Sequence, residues 1–212
     1  MSIFFRLACL AVLLAVAGSP QPEARKAPVR VARATPAIEL QDADVVLQAS
    51  RSSRAPIIER ASRSPYSHVG LIEVASDGVF VIEAVQPVSR TPLSAWVARG
   101  EGRKVTVLRS ALDASARAKV VAEAKAQLGT PYDARYRWDD ERLYCSELVV
   151  KAFEHGAQLK VGRFEKVKDL ALTPAELVFA QRMGVSPEQE LVTPGSLVDG
   201  PGLDVVAKDA VW

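Results

Sequence analysis

The stretch "HVGLIEVASDGVFVIEAV", residues 68–85, sets the fold class. Two runs rich in Val and Ile flank Ser76-Asp77-Gly78, and apolar runs of this length broken by turn residues read as a β-hairpin. Two features inside it are out of place. His68 opens the first run, and Gly70, two positions on, shares its face. A glycine inside a strand marks close approach of another backbone, and we expect the helix that carries Cys145 to pack there. Glu83 puts a carboxylate in an otherwise apolar strand, where it needs a partner. If His68 and Glu83 sit directly opposite one another, the connection is the wide loop "EVASDG". A tight Asp77-Gly78 turn instead sets Ile72 against Glu83 and carries His68 roughly 13 Å away. By this reading, pairing His68 with Glu83 requires the wide loop or a bulge.

On either side the pattern continues. "DVVLQ" (44–48) is a short apolar strand, "APIIERAS" (55–62) a helical turn or short helix, and "KVTVLRS" (104–110) a third clear strand. Between them "SRTPLSAWVARGEG" (89–102) is looser. From Asp113 the period changes to that of a helix. "DASARAKVVAEAKAQLG" sets Ala116, Val120, Ala124 and Leu128 one turn apart, with Asp113 as N-cap and Gly129 as terminator. "RYRWDDERLY" (135–144) is a polar, aromatic loop. "CSELVVKAFEHG" (145–156) is a second helix, with Leu148, Val149, Ala152 and Phe153 on one face and Gly156 as its stop. "TPAELVFAQRMG" (173–184) is a short helix capped by Thr173 and opened by Pro174. Strands first and helices after, with hairpin connections, predict an α+β domain: a small antiparallel sheet with helices packed against it.

The 212 residues suffice for one domain with a tail. The formal net charge of +2 gives no nucleic-acid footprint. Residues 1–19, "MSIFFRLACLAVLLAVAGS", combine Arg6, an apolar run from Leu7 to Ala17 and small residues after it. They read as a cleaved secretory signal peptide, too short for a comfortable membrane span, with an uncleaved anchor as the alternative. Residues 20–40 read as a linker, and 41–212 as the folded domain. The linker's Arg25, Lys26, Arg30 and Arg33 make a weak membrane-surface signal. Export predicts a periplasmic or secreted protein.

Removing the leader takes Cys9 with it and leaves Cys145 as the only thiol. Such a thiol is a buried structural group, an intermolecular partner or a reactive group. Its place at a helix N-terminus favours the thiolate. His155 lies ten residues on, about 15 Å along the same helix, and cannot serve it as base. That leaves His68, with Glu83 to orient it. Two Cys and two His form no zinc pattern, and the acidic run Asp139, Asp140, Glu141 reads as loop or helix cap rather than metal site. No cofactor is expected. Glu147 reads as a first-turn charge, and Trp96 and Trp138 as core or pocket wall.

Taken together, "SPYSHVGLIE", "VIEAV", "LGTPYD" and "YCSELV" resemble the circularly permuted papain-like hydrolases of the NlpC/P60 superfamily, in particular the YiiX/YaeF-like group. The likeness runs from about Asp44 to Phe153, and more weakly to about Leu177. In that group the His precedes the Cys helix, as here. The resemblance implies Cys145 as nucleophile, His68 as base and Glu83 as orienting residue. Tyr132, in "LGTPYD", and Tyr66 are candidates for the oxyanion site or pocket. It also implies a hydrolase that cleaves an amide or related acyl bond through a Cys acyl-enzyme. The partner would be an acyl- or peptide-containing small substrate from cell wall or lipid. An acyltransferase or thioesterase acting on lipids, and a non-catalytic envelope binding module, are the competing readings. The module reading requires His68 to lie beyond about 5 Å from the Cys145 sulfur, out of one-water reach.

Overall fold

The run "VVLQ" is buried at all four positions. A strand with no polar alternation belongs at the centre of a sheet covered on both faces, and that is where it lies. The computed structural model describes residues 38–212; the signal-peptide reading and nearly all of the linker reading fall outside them. In chain order the elements are β1 (Val45–Gln48), α1 (Ala55–Ala61), β2 (His68–Ala75), β3 (Gly78–Glu83), β4 (Ser89–Pro92), α2 (Leu93–Ala98), β5 (Lys104–Arg109) and α3 (Ala114–Ala126). They continue with α4 (Cys145–Ala157), β6 (Phe164–Lys166), α5 (Pro174–Arg182), β7 (Glu190–Val192), α6 (Pro194–Val198) and β8 (Asp204–Val211). Six strands form one antiparallel sheet in the order β4-β3-β2-β1-β5-β8, and β6 pairs with β7 apart from it. The fold is α+β, an antiparallel sheet with helices packed against it, as the sequence led us to expect.

Alternation along the strands divides the core in two. Val45, Leu47, Val69, Leu71, Ile82 and Leu108 join Leu148, Val149 and Phe153 of α4 and Val120 and Ala124 of α3. On the other face Val46, Ile72, Val81 and Val107 pack with Trp96 and Val97 of α2. Each large side chain so buried is worth about 1.5–3 kcal/mol over its exposed state. Asp113 caps α3 as predicted, its carboxylate accepting from the Ala116 N–H at 2.8 Å.

Four expectations are corrected. Gly156 does not stop α4. A Cβ there would stand 2.7 Å from the Val120 backbone, so the glycine is where α3 and α4 touch. The helix instead ends where Gln158 takes a left-handed conformation, φ 52°. Gly70 marks the approach of β3 rather than of α4: a Cβ on it would stand 2.4 Å from Val81 Cγ1. The loose stretch 89–102 holds β4 and α2. The fourth concerns the hairpin. Ala75 pairs with Gly78 and Leu71 with Ile82, so the turn is Ser76-Asp77 and neither anticipated register occurs.

Candidate active site

Cys145 is the first residue of α4 and only 5% exposed. Two neighbours fix the helix start. The Tyr144 hydroxyl accepts a hydrogen bond from the Val192 N–H at 3.1 Å, tying the start to β7, and the Glu147 carboxylate accepts from the Tyr144 N–H at 3.3 Å. The free N–H groups of this turn favour a negative sulfur.

The observed hairpin register sets Gly70 opposite Glu83 and leaves His68 one diagonal step along. Diagonal neighbours on a sheet face remain within reach of long side chains. Here Gly70 supplies no side chain to intervene, and His68 Nε2 meets Glu83 Oε2 at 2.6 Å. The wide loop was therefore unnecessary. The other Glu83 oxygen accepts from the Thr91 hydroxyl at 2.6 Å and from the Arg99 guanidinium. A carboxylate with no solvent exposure is thus fully partnered. The indole of Trp96 lies 6.2 Å from the imidazole, centroid to centroid. With Nε2 turned to Glu83, Nδ1 is the ring nitrogen left for the thiol.

Cys145 and His68 are close enough to set each other's ionisation. Burial pushes the thiol up, but the hydrogen bond and charge of His68, and then Ser146, bring it below its ordinary value. Burial opposes a charged His68, yet Cys145 and Glu83 together push it up to about 9. Burial also works against ionised Glu83, and His68, Thr91 and Arg99 outweigh it and hold the carboxyl below the usual range. All three shifts run in the direction that favours a thiolate beside an imidazolium, with a carboxylate behind it. His68 and Cys145 line one cleft, and each shifts the other's ionisation.

A cleft of about 590 Å³ opens onto Cys145 and His68, and Tyr132 lines it. Burial first, then the negative charge of Cys145, raises the Tyr132 phenol well above its ordinary value, so it keeps the proton an oxyanion donor must offer. Tyr66 is not in the cleft. It is 6% exposed in the core, and its hydroxyl is engaged 2.8 Å from Thr106 Oγ1. His155 is exposed at the far end of α4. Asp140 pairs with Lys151 at 2.8 Å, and Asp139 accepts from the Glu141 N–H, so the acidic run serves the loop and α4. Glu147 is more than a first-turn charge: it is fully buried, 2.9 Å from the Lys151 ammonium. Sequence reasoning missed Thr91 and Arg99, which flank α2, and Gln48, which stands opposite His68 with both amide atoms unpartnered. A long polar side chain ending a fully buried strand was the available signal for Gln48.

A family model described as "Permuted papain-like amidase enzyme, YaeF/YiiX, C92 family" matches residues 39–207. The chain is 37% identical over 175 residues to the uncharacterized protein YiiX of Escherichia coli strain K12, covering 80% of this chain and 87% of that one. A solved structure described as metalloprotein yiiX from Escherichia coli O157:H7 superposes with a TM-score of 0.74 at 37% identity, covering 79% of this chain and 97% of that one.

Proposed function

The chain belongs to the permuted papain-like amidases of the YaeF/YiiX group, and from that premise we propose that it is a thiol hydrolase whose nucleophile is Cys145, base His68 and orienting carboxylate Glu83. The observation that carries this reading is that Cys145 and His68 line one cleft, with the buried Glu83 2.6 Å behind the imidazole. The Cys145 thiolate attacks the carbonyl carbon of an amide or related acyl bond. The oxygen takes the negative charge, facing the Cys145 N–H and the Tyr132 hydroxyl. The C–N bond breaks as imidazolium His68 delivers its proton to the departing nitrogen, leaving a thioester on Cys145. Neutral His68 then takes a proton from water, the hydroxide attacks the thioester, and collapse releases the acid and restores the thiolate. Throughout, Glu83 holds the ring in the tautomer that keeps Nδ1 toward sulfur.

An acyltransferase would share the first half-reaction and differ only in the acceptor, so product analysis separates the two. Among the described residues no group of three or more His, Cys, Asp or Glu is placed to hold a metal ion. The N-terminal run Leu7 to Ala17 supports action outside the cytoplasm.

A thiol-directed acylating probe is expected to label Cys145, as read by mass spectrometry of the intact protein. His68→Ala, still folded by circular dichroism, is expected to slow that labelling by roughly 10²-fold or more. Equal labelling of the two proteins overturns the reading.

A further inference from the structure

Tyr132 stands on the wall of the cleft that Cys145 shares with His68. Its backbone is pinned close to the nucleophile. Tyr132 and Leu143 form a short parallel bridge, in which the Asp133 N–H donates to the Leu143 carbonyl at 3.1 Å and the Leu143 N–H to the Pro131 carbonyl at 3.0 Å. A second cavity, about 350 Å³, also borders Cys145, and another phenol, that of Tyr136, is on its wall.

The backbone of Tyr136 is held in a conformation that its side chain does not favour. Its φ is 53°, in the left-handed region, which a bulky residue seldom occupies and keeps only where its surroundings impose it. Here they do. The buried carboxylate of Asp133 accepts from the Arg135 N–H at 2.8 Å and from the Arg137 N–H at 2.5 Å, one on each side of Tyr136. Gln189, just before β7, donates to the Arg135 carbonyl at 2.9 Å and to the Tyr136 carbonyl at 2.6 Å. The ring lies edge-on against Tyr144, the residue before the nucleophile, with centroids 5.4 Å apart. Both Tyr132 and Tyr136 pack on the small core around Tyr144.

Burial, and after it the negative charge of Cys145, raises the Tyr136 phenol, while its side-chain hydrogen bond with Tyr132 works against the rise. Both hydroxyls keep their protons and feel the same charge. When two hydroxyls are joined, one donates and the other accepts. The acceptor's own proton becomes a better donor, because successive hydrogen bonds polarise one another.

Resting on the hydrolase reading above, we propose that Tyr136 is a positioning residue of the oxyanion site. Its hydroxyl donates to the Tyr132 oxygen, which fixes the Tyr132 rotor and directs the Tyr132 proton at the oxygen that turns negative when Cys145 attacks. The bracing by Asp133 and Gln189 serves that placement.

The test uses the full chain and two reagents. Acylation of Cys145 by p-nitrophenyl acetate, followed as the burst of p-nitrophenolate, passes through an oxyanion. Alkylation of Cys145 by iodoacetamide does not, so it reports the thiolate and the surrounding structure alone. Tyr136→Phe keeps the ring on Tyr144, and it is expected to slow acylation about tenfold and to leave alkylation within about twofold. Tyr132→Phe is expected to slow acylation by roughly 10²-fold. The double variant should be no slower than Tyr132→Phe alone, since Tyr136 acts through Tyr132. Acylation that ignores Tyr136→Phe overturns the inference. So does alkylation that falls in step with acylation, because the residue is then structural only. Losses that multiply in the double variant overturn it too, because Tyr136 then acts without Tyr132. If Tyr132→Phe costs nothing, the oxyanion role of Tyr132 and this inference fail together while the thiol chemistry stands. If p-nitrophenyl acetate leaves Cys145 of the unaltered protein unacylated, the hydrolase reading fails and takes this inference with it.

Discussion

At the scale of single residues, the three ionisation shifts make one prediction about pH. The thiol is held below its ordinary value and His68 is raised to about 9, so the ion pair exists from the depressed thiol pKa up to about pH 9. Alkylation of Cys145 by iodoacetamide should therefore be fast well below pH 8.5, the ordinary thiol value. Turnover should fall above about pH 9, where His68 no longer carries a proton for the leaving group. In His68→Ala only Ser146 still opposes burial, and the alkylation midpoint should rise; an unmoved midpoint refutes the pairing. Glu83→Gln keeps the shape but loses the charge, and a loss of roughly 10²–10⁴-fold in kcat is expected. Cys145, His68 and Glu83 were legible because each contradicts its surroundings: one thiol, one strand-opening imidazole, one carboxylate among valines. Thr91 and Arg99 were not, because they matter only through a fold that brings a patternless stretch against β3. Tyr66 was misplaced for the same reason. Which way its phenol points is decided by Thr106, forty positions on in the chain.

At the scale of elements, the hairpin shows what periodicity conveys and what it omits. Strand existence followed from composition, but register followed from which two residues turn the chain, and Ser76-Asp77 competes closely with Asp77-Gly78. The diagonal reach from His68 to Glu83 depends on Gly70. We predict that Gly70→Ala, whose Cβ would press on Val81 Cγ1 at 2.4 Å, costs about 1–3 kcal/mol in urea unfolding and slows Cys145 labelling by displacing β3. Val81→Ala removes the clashing methyl, so the double variant should label faster than Gly70→Ala alone. Labelling that ignores Gly70 would break the link between register and site. β8 went unread because it is an edge strand. Val205, Val206 and Val211 stay well exposed, so its sequence carries little contrast between faces. The sheet's last strand comes from the C-terminal region, and residues between Val167 and Val192 wall the second cavity beside Cys145.

At the scale of the whole molecule, stability carries the cost of a buried acid. Burial raises Glu147 to about 7, and Lys151 only partly offsets it. Between about pH 4.5 and 7 the unfolded chain ionises this group while the folded chain resists, so stability present below 4.5 is lost as pH rises toward 7. The loss is at most about 3 kcal/mol. Glu147→Gln should remove that slope, and the difference between the two unfolding curves should be confined to this window. Parallel curves would refute the assignment. Glu83 and Glu73, both lowered, act the other way and lower still: their contribution is intact above 4.5 and disappears as acid protonates them. Chain order has a further consequence. The hairpin bearing His68 and Glu83 precedes α4, and a polypeptide emerges from the ribosome N-terminus first. Base and carboxylate are thus synthesised before the sulfur exists. The nascent protein carries an ordinary, weakly nucleophilic cysteine until α4 docks, and acquires its reactivity in the same event that encloses it.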